Sequence, residues 1–462
     1  MLKRLKNNSD VIYKETKGNC VICYQEQLCN ILEFMKDFYP RIESHIKSDL
    51  DDLFPGICKK IDPNYEFIEQ LVFSGLLVAY RNFQYYAFDI SKAPSRAISD
   101  SITEAESAFQ ARDGFVENFK DNIALIRTRV RDSRLNIKNI MVGRRSKTNI
   151  SILSINDIHN KEIVNRVIEE IEKIDIDAII SMDDLTSYIQ RGKLFPTYQY
   201  VGSPDLACKR LYNGEVVIVI DRVSCVLVLP VTLSISSRLS IDNLNIPFFS
   251  LFERSFILLA FLISILFLGL LISFTTYQSD SLSLRWLSIL KVTQKGVVFP
   301  IFYEVAIIIA LFELFYLIGF RQSKFTISST VVLIGGLIIG ENLVTSGVTG
   351  VFIMTFTAIT FLMTFVVSSN VTILMSISVV RILIMISSFY LGLYGVILAA
   401  ILLVYLMYRQ TTFGVHYFYP FIPFDVSGIK KFFTSSSSLK NNTRDEPLKV
   451  KNKYRRSIRW KG

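Results

Sequence analysis

The feature that most constrains this chain is a block of long apolar segments in its second half. Residues 255–409 hold only 7 basic and 4 acidic side chains, and the stretch 255–277 carries no charge over 23 positions. An α-helix rises about 1.5 Å per residue, so 23 residues span the roughly 30 Å of a bilayer's hydrocarbon core. The sequence therefore predicts a membrane domain, and this excludes a soluble enzyme and a compact nucleic-acid-binding domain.

Four membrane spans are predicted within a membrane domain at 251–409. The stretch 325–367 contains a single charge, Glu341. As one helix it would run about 64 Å, twice the hydrocarbon core, so it is expected to contain two spans. The last span is expected to have Arg381 at its mouth. The predicted spans are 255–277, 326–345, 348–367 and 382–407.

A fifth apolar segment, 301–320, is interpreted differently because it carries two carboxylates. Glu304 and Glu313 are nine residues apart and would lie on opposite faces of a helix. We expect an amphipathic or re-entrant segment here, with Glu304 near the interface and Glu313 as a polar seam residue. Both are candidate membrane carboxylates.

Charge also separates the two flanking regions. Residues 1–254 hold 33 basic and 34 acidic side chains, whereas 410–462 hold 11 basic and 3 acidic. The tail at 410–462 is predicted to be cytoplasmic by the positive-inside bias, and its end from 435 onward to be unstructured near anionic lipid. Because the chain's start lacks an apolar signal sequence, its N-terminal domain is expected in the cytoplasm too, which requires an even number of crossings.

The N-terminal region is expected to be an α+β soluble region of two subdomains, at 1–135 and 136–250. The second is α/β-like because strand and helix patterns alternate along it. An amphipathic helix is predicted at 161–174 and a polar helical stretch at 101–131. The predicted strands are 20–24, 71–80, 82–90, 148–154, 178–180, 215–221 and 223–229.

The soluble region offers no catalytic or metal-binding constellation, so we expect no enzyme activity, no cofactor and no metal. Cys20 and Cys23 form a C-x-x-C pair, but no second pair lies at ligand spacing, and buried thiols are the simpler interpretation. The pair Lys147-Thr148 lacks the glycines of a phosphate-binding loop. With three well-separated histidines, no nucleophile and base can be paired.

The polar helix before residue 132 ends in three alternating arginines, Arg127, Arg129 and Arg131. These could contact a phosphate or lipid headgroup. The simpler interpretation is a solvent-exposed face, with Ile123, Ile126 and Val130 turned inward. We favour the simpler one.

Glu341 is the most informative residue of the membrane domain, because a carboxylate facing lipid costs several kcal/mol. On a helical wheel it lies on one stripe with polar and apolar positions that could line a pore, and a small-residue face suited to helix packing lies about 100° away. The alternative is that Glu341 sits near a span end and reaches headgroups. The pore-lining candidates are Thr330, Ile334, Leu337, Glu341, Thr345 and Thr349, and the packing candidates are Gly336, Gly340 and Gly347.

Several segments, in this order, resemble the A subunit of the GerA family of spore germinant receptors. In the soluble region they are Gly114-Phe115-Val116-Glu117, the run 122–131, the run 143–148, Leu194-Phe195-Pro196 and the run 213–221. In the membrane domain they are the run 295–300, Phe312-Glu313, the run 334–340 and Phe413-Gly414-Val415. The soluble-domain motif residues are Asn122, Arg127, Arg129, Arg131, Arg145, Ser146, Lys147 and Thr148.

The resemblance implies a multi-pass subunit of the spore inner membrane, with its N-terminal domain and tail on the core side. It implies a homo-oligomer, a pentamer, that conducts cations when germinant binds. It also implies two partners, a transporter-like B subunit that senses the nutrient and a lipoprotein C subunit.

Three other functions compete with a receptor channel. The first is a related accessory channel protein that amplifies ion and dipicolinate release. The second is a secondary transporter, which would show internal repeats and broken helices in both halves, whereas we see one glycine-rich segment without a counterpart. The third is a membrane-anchored enzyme, for which His159 and His416 offer no constellation.

Overall fold

The structure, a computed structural model, consists of two compact units. One unit comprises 1–245, 411–431 and 435–462, and the other comprises 246–410 and 432–434. The residues that the structure describes are 10–16, 20–44, 50–54, 57–92, 97–98, 113–232, 247–321, 340–341, 343–368, 371–434, 443–444 and 446–455.

The first subdomain is an antiparallel five-stranded sheet in the order β1-β2-β4-β5-β3, with short helices packed on it. Its strands are β1 (Val11–Thr16), β2 (Cys20–Gln25), β3 (Cys58–Ile61), β4 (Leu77–Arg81) and β5 (Gln84–Phe88). Its helices are α1 (Ile31–Glu33), a π-helical turn (Phe34–Phe38), α2 (Tyr39–Ser44), α3 (Leu50–Leu53) and α4 (Tyr65–Phe73).

One predicted strand of this subdomain is wrong in its first part. Residues 71–73 end helix α4, because Ile68 and Val72 repeat at helical spacing and are fully buried against the sheet. The chain then turns at Gly75, whose φ of +93° is left-handed, before β4 begins. Cys23 and Cys29 are buried thiols here, and burial raises the pKa of each to about 12.

The second subdomain is a second antiparallel sheet, in the order β10-β12-β11-β9-β8. Its strands are β8 (Leu135–Val142), β9 (Thr148–Ile155), β10 (Gln199–Val201), β11 (Val216–Ile220) and β12 (Val226–Leu229), and a two-stranded ladder of β6 (Ala97–Ile98) and β7 (Asp113–Gly114) precedes them. Its helices are α5 (Phe119–Arg129), α6 (Lys161–Glu172), α7 (Met182–Ile189) and α8 (Pro204–Asn213). The α+β class of the soluble region is confirmed.

The pairings of these five strands are all antiparallel. Two details of this subdomain differ from the prediction. Residues 178–180 are not a strand, because Ser181 begins α7 with a capping box that it shares with Asp184. The polar stretch 101–131 is helical only over α5 among its described residues.

The predicted unstructured tail is wrong for residues 443–444 and 446–455, which pack on the second subdomain. Leu448 and Val450 are buried in the same hydrophobic core as Ile158 and β11. These apolar side chains lie between lysines and arginines, and their burial rather than the net charge decides the outcome. The packed segment contains a 3₁₀ turn at Glu446–Leu448. Earlier in the region that follows the membrane unit lie two short strands, β13 (Thr411–Thr412) and β14 (Val415–His416).

The membrane unit is helical, which confirms the predicted class of the second half. Within the described part of this unit, three helices are long and apolar enough to cross a bilayer, at Leu251–Thr276, Ile301–Ile318 and Thr372–Arg409, and a shorter apolar helix covers Val351–Val367. Among the described residues, the longer helices of this unit are α9 (Pro247–Thr276), α10 (Leu284–Thr293), α11 (Ile301–Arg321), α12 (Val351–Val367) and α13 (Val371–Arg409), with a 3₁₀ turn at Ser279–Ser281. A further helix, α14 (Val426–Thr434), follows in the chain, and only its last three residues belong to this unit.

Helix α13 is not the single straight span predicted at 382–407. Gly392 lies inside it with φ +58° and ψ −136°, outside the helical region. Across this break Ser387 Oγ donates to the carbonyl of Gly395 at 3.2 Å, although residues eight apart in a straight helix lie about 12 Å apart. The chain therefore folds back sharply at Gly392. The 39 residues of α13 are also more than one membrane span requires.

Candidate functional site: buried polar groups of the membrane unit

Glu304, the first carboxylate of α11 and the residue expected near the interface, is fully buried inside the protein. Its Oε1 accepts from Gln294 Nε2 at 2.9 Å, and its Oε2 accepts from the backbone N–H of Gly350 at 2.9 Å. Gly350 is the N-cap residue of α12, so the carboxylate satisfies a helix N-terminus and complements the helix dipole. Segment 301–320 is a continuous apolar helix, and its first carboxylate is hydrogen-bonded inside the protein.

Glu313, the second carboxylate, forms an ion pair with Arg381. Arg381 Nη2 donates to Glu313 Oε1 at 2.6 Å, and the arginine side chain is completely buried. Its Nη1 donates to Thr364 Oγ1 at 3.0 Å and its Nη2 to Ser378 Oγ at 3.1 Å. Arg381 thus lies inside α13, not at the mouth of a span, and it links α11, α12 and α13.

Three buried threonines of α12, Thr357, Thr360 and Thr364, lie between these two carboxylate contacts. Their hydroxyls donate to carbonyls one turn earlier in the helix, and Thr364 also accepts from Arg381. From Gly350 to Thr364 the helix rises about 21 Å. We call Glu304, Thr357, Thr360, Thr364, Glu313 and Arg381 the polar seam. It places hydroxyl oxygens and hydrogen-bonded charged groups along the inside of the membrane unit.

Glu341, the central candidate for a pore, is exposed on a helical turn. Thr345 Oγ1 donates to the Glu341 carbonyl at 3.0 Å, so the two residues lie one turn apart on the same side. Thr349 does not continue this stripe. The chain leaves the helix after Thr345, and Thr349 is buried in the following turn, because Gly347 adopts a left-handed φ of +70°.

The predicted packing glycines have close neighbours where they are described. A Cβ on Gly347 would lie 2.7 Å from the carbonyl oxygen of Gly296, and Val298 N donates to the Gly347 carbonyl at 3.1 Å. A Cβ on Gly340 would lie 3.2 Å from Met354 Cε. Thr330, Ile334, Gly336 and Leu337 lie outside the described residues.

The arginines of α5 form ion pairs in the soluble region instead of a solvent-exposed face. Arg127 is fully buried and forms a bidentate pair with Asp10, through Nε at 2.7 Å and Nη2 at 2.9 Å. Arg129 donates to Asp113 Oδ2 at 2.6 Å and also to Asp205. Of the three, Arg131 alone is exposed.

The remaining motif residues of the soluble region shape its loops. Asn122 accepts from Val116 N at 2.8 Å through its side-chain oxygen, which fixes the chain before α5. Thr148 donates to the Ile179 carbonyl at 2.9 Å, and its Oγ1 lies within hydrogen-bond distance of Ser146 Oγ at 2.8 Å, at the β8–β9 hairpin. In that turn Lys147 has a left-handed φ of +45°, and Arg145 lies 3.7 Å from Asp177. These turn residues stabilise the β8–β9 hairpin and do not form a phosphate-binding loop.

Sequence reasoning missed Gln294 and the threonines of α12. Threonines at positions 357, 360 and 364 repeat at helical spacing in an otherwise apolar run, and this signal could have identified them. A single arginine within an apolar segment was likewise a signal for a partner carboxylate. Gln294 lies outside the predicted spans, so only the fold brings it to Glu304.

Comparisons with known proteins point to one family. A family described as "Bacillus/Clostridium GerA spore germination protein" matches residues 1–447. Spore germination protein B1 of Bacillus subtilis (strain 168) is 30% identical over 378 residues, covering 80% of this chain and 77% of the relative. Spore germination protein XA of Bacillus anthracis is 29% identical over 368 residues, covering 79% and 74%.

The solved structures that match include the N-terminal domain of the A subunit of the Bacillus megaterium spore germinant receptor GerK3, with 20% identity and a TM-score of 0.35. The match covers 49% of this chain and 90% of that chain.

Proposed function

Because this chain belongs to the Bacillus/Clostridium GerA family of spore germination proteins, we propose that it is the A-type subunit of a nutrient germinant receptor. In this proposal several copies, five by the family resemblance, form a cation channel in the spore inner membrane. A transporter-like B subunit binds the germinant and opens the channel, and a lipoprotein C subunit completes the receptor.

The observation that supports a pore is the contrast between Glu341 and the two glutamates of α11. Glu304 and Glu313 are both engaged by groups of the same protomer. Glu341 is exposed on its helical turn, and a carboxylate facing lipid costs several kcal/mol. Water or neighbouring copies are the environments that would accept it. A ring of such carboxylates attracts cations into a pore.

The packed tail supports the proposed orientation. Leu448 and Val450 share a hydrophobic core with strands of the N-terminal region, so the two chain ends that flank the membrane unit meet in one folded unit. Two segments that share a core occupy the same side of a membrane. The number of crossings is therefore even, and we place both segments on the core side of the spore membrane.

The proposal is tested by Glu341→Gln in the receptor reconstituted with its partner subunits. Reversal potentials are measured across a bilayer under a KCl gradient after nutrient is added. Each lost charge removes about 1 kcal/mol of attraction for an ion at 4 Å in water, a factor of about five, so losing several from a ring should lower the cation-to-anion permeability ratio by about tenfold or more. Glu341→Asp should retain selectivity.

Asp280→Asn is the matched control, because it removes one acidic charge from an exposed turn of the same unit. It should leave the reversal potential unchanged. An unchanged potential in Glu341→Gln would remove Glu341 from the pore. A native mass of the detergent-extracted protein that corresponds to a single copy would contradict the channel while leaving the family assignment intact.

A further inference from the structure

Helix α10 lies at the surface of the membrane unit and buries one of its ten residues, Leu290. Leu290 packs into a hydrophobic core that it shares with α9, α11 and α12. Because an α-helix has about 3.6 residues per turn, Leu284 and Val292 fall on the opposite side of α10. They are 84% and 72% exposed, so the outward side of this helix carries large apolar side chains.

The contacts of α10 place it at the level where the neighbouring helices begin. Gln294, which follows α10, donates to Glu304 in the first turn of α11 at 2.9 Å. Trp286 packs edge-on against Phe352 in the first turn of α12, with ring centroids 6.2 Å apart. Since α9 and α11 are both long and apolar enough to cross a bilayer, the helix that connects them lies at the edge of the hydrocarbon region.

Positive charge accompanies the exposed apolar side chains. Residues 277–300 carry three cations, Arg285, Lys291 and Lys295, and one carboxylate, Asp280. All three cations are exposed, and within the described part of the chain none of them forms an ion pair. A helix that combines apolar and basic side chains with a tryptophan is typical of helices that lie in the headgroup region of an anionic bilayer.

Charge also decides between a lipid and a protein as the occupant of this side of α10. A second copy of the chain that met the first through α10 would bring three cations against the same three cations, and such contacts repel. A bilayer with anionic headgroups supplies the opposite charge at the depth where α10 lies. The exposed surface is also continuous with the lipid-facing sides of α9 and α11.

We propose that α10 and its flanking residues form a binding surface for anionic phospholipids. Arg285, Lys291 and Lys295 contact the headgroup phosphates, and Leu284 and Val292 enter the boundary of the acyl chains. Basic residues near an anionic surface add their attractions to the burial of apolar area, which gives the surface a preference for anionic over neutral lipid.

Lipid bound at α10 also acts on the turn that precedes α12. A Cβ on Gly350 would lie 2.8 Å from the carbonyl oxygen of Thr293, and Val298 N donates to the Gly347 carbonyl at 3.1 Å. The turn cannot leave the end of α10 without opening these contacts. A ligand that binds only the packed arrangement stabilises it, so anionic lipid should protect residues 343–350 from local unfolding.

The test uses the tryptophan of α10 as a probe, with the full chain in lipid nanodiscs. The chain has two tryptophans, so Trp460→Phe leaves only Trp286, which is half-exposed. All nanodiscs contain phosphatidylglycerol and phosphatidylcholine at a ratio of about one to four. In one set the phosphatidylglycerol carries brominated acyl chains, and in the other an equal amount of phosphatidylcholine does. Bromine quenches tryptophan fluorescence on contact, so the ratio of the two quenching values measures the enrichment of anionic lipid beside α10.

Brominated phosphatidylglycerol should quench Trp286 about two to five times more strongly than brominated phosphatidylcholine, because one basic residue near an anionic surface enriches anionic lipid roughly fivefold. The combined variant Arg285→Gln, Lys291→Gln and Lys295→Gln should bring the ratio to about one. These substitutions are at exposed positions and leave Leu290 buried, so the fold should persist.

Arg409→Gln is the matched control, since it removes one exposed cation from the same unit. A Cβ on Gly392 would lie 3.2 Å from the ring of Tyr277, so the break in α13 adjoins the end of α9 that leads to α10. From Gly392 to Arg409 the helix rises about 25 Å, which places Arg409 far from that end. This variant should keep the ratio of the single-tryptophan chain.

Two further measurements use the chain without these substitutions. Raising sodium chloride from about 0.1 M to about 1 M shortens the Debye length from about 10 Å to about 3 Å, and it should lower the quenching ratio towards one. Hydrogen exchange at residues 343–350 should be slower in nanodiscs that contain phosphatidylglycerol than in nanodiscs of phosphatidylcholine alone. Equal exchange in the two lipids would overturn the effect on the turn before α12.

A quenching ratio of one in the single-tryptophan chain would overturn the lipid proposal, and so would a raised ratio that persists in the combined variant and at high salt. Absence of quenching by either lipid would show that protein covers α10, as a second copy or another subunit, and would overturn it too. The measurement involves no ion flow, so its outcome is independent of the channel proposal.

Discussion

The two units each contain a buried arginine–carboxylate pair, and the pairs differ in how completely the arginine is bound. Arg127 makes two hydrogen bonds to Asp10 and donates to the carbonyls of Asp132 and Leu135 at 2.8 and 3.0 Å. Arg381 makes one hydrogen bond to Glu313 and two to hydroxyls, and among the described residues its Nε has no partner.

The number of hydrogen bonds to each arginine determines whether its pair can rearrange. Arg127 lies 4.6 Å above the ring of Phe73, and Asp10 also accepts from Gln25 at 2.8 Å, so this pair joins α5 to the first subdomain at a fully determined geometry. The Arg381 pair sits among hydroxyls that can exchange partners with it. A saturated pair acts as a fixed connection, whereas the less saturated one can rearrange when helices move.

The largest effect is expected from breaking the soluble pair. Arg127→Ala leaves the Asp10 carboxylate buried without its partner, which should destabilise the soluble region by about 3–5 kcal/mol. The measurement is chemical denaturation of the full chain in detergent, followed by hydrogen exchange of β1. Arg131→Gln replaces an exposed side chain just after α5 and should change the free energy of unfolding by no more than about 0.5 kcal/mol.

The double variant Asp10→Leu with Arg127→Met sharpens this prediction. Replacing both charges removes the unpaired group, so it should recover much of the lost stability. If the backbone amides of β1 exchange as slowly in Arg127→Ala as in the unaltered chain, the Arg127–Asp10 pair does not join the subdomains.

A smaller effect is expected in the membrane unit. Glu313→Gln should lower the free energy of unfolding by roughly 1–3 kcal/mol, because hydroxyls nearby partly compensate the buried guanidinium and polar contacts in membranes contribute modestly. The measurement is thermal unfolding in detergent together with exchange of residues 371–391. Thr364→Val removes one neutral acceptor of Arg381 and should lower the free energy of unfolding by less. An equal decrease in both variants would show that the charge of Glu313 does not determine the stability of this contact.

How far the sequence could predict this molecule depends on whether a pattern is local. The α+β class and the helix α6 followed from periodicity, since Ile163, Val164, Val167 and Ile171 face one core. The partners of Arg127 and Glu304 did not follow, because Asp10 and Gly350 lie 117 and 46 residues away. Only tertiary packing brings such groups together.

The smallest effect concerns pH and again involves the tail. His159 is buried, and burial, followed by the nearby charge of Lys451, lowers its pKa below the ordinary value of about 6.5. The fold therefore accommodates the neutral imidazole. Its contribution to stability is complete above about pH 6.5 and is lost as the pH falls from there through the lowered pKa, because the unfolded chain takes up the proton first.

Exchange at residues 443–455, corrected for intrinsic rates, should therefore accelerate between pH 7 and pH 5. His159→Gln should flatten this dependence, because the amide does not titrate. Lys451→Gln should weaken it only slightly, since burial is the larger cause and the Lys451 backbone bond to Ile158 remains possible. A tail that loses protection equally in the His159 variant would assign the pH response to another group. A response absent from the unaltered chain would mean that His159 stays neutral without affecting the docked tail.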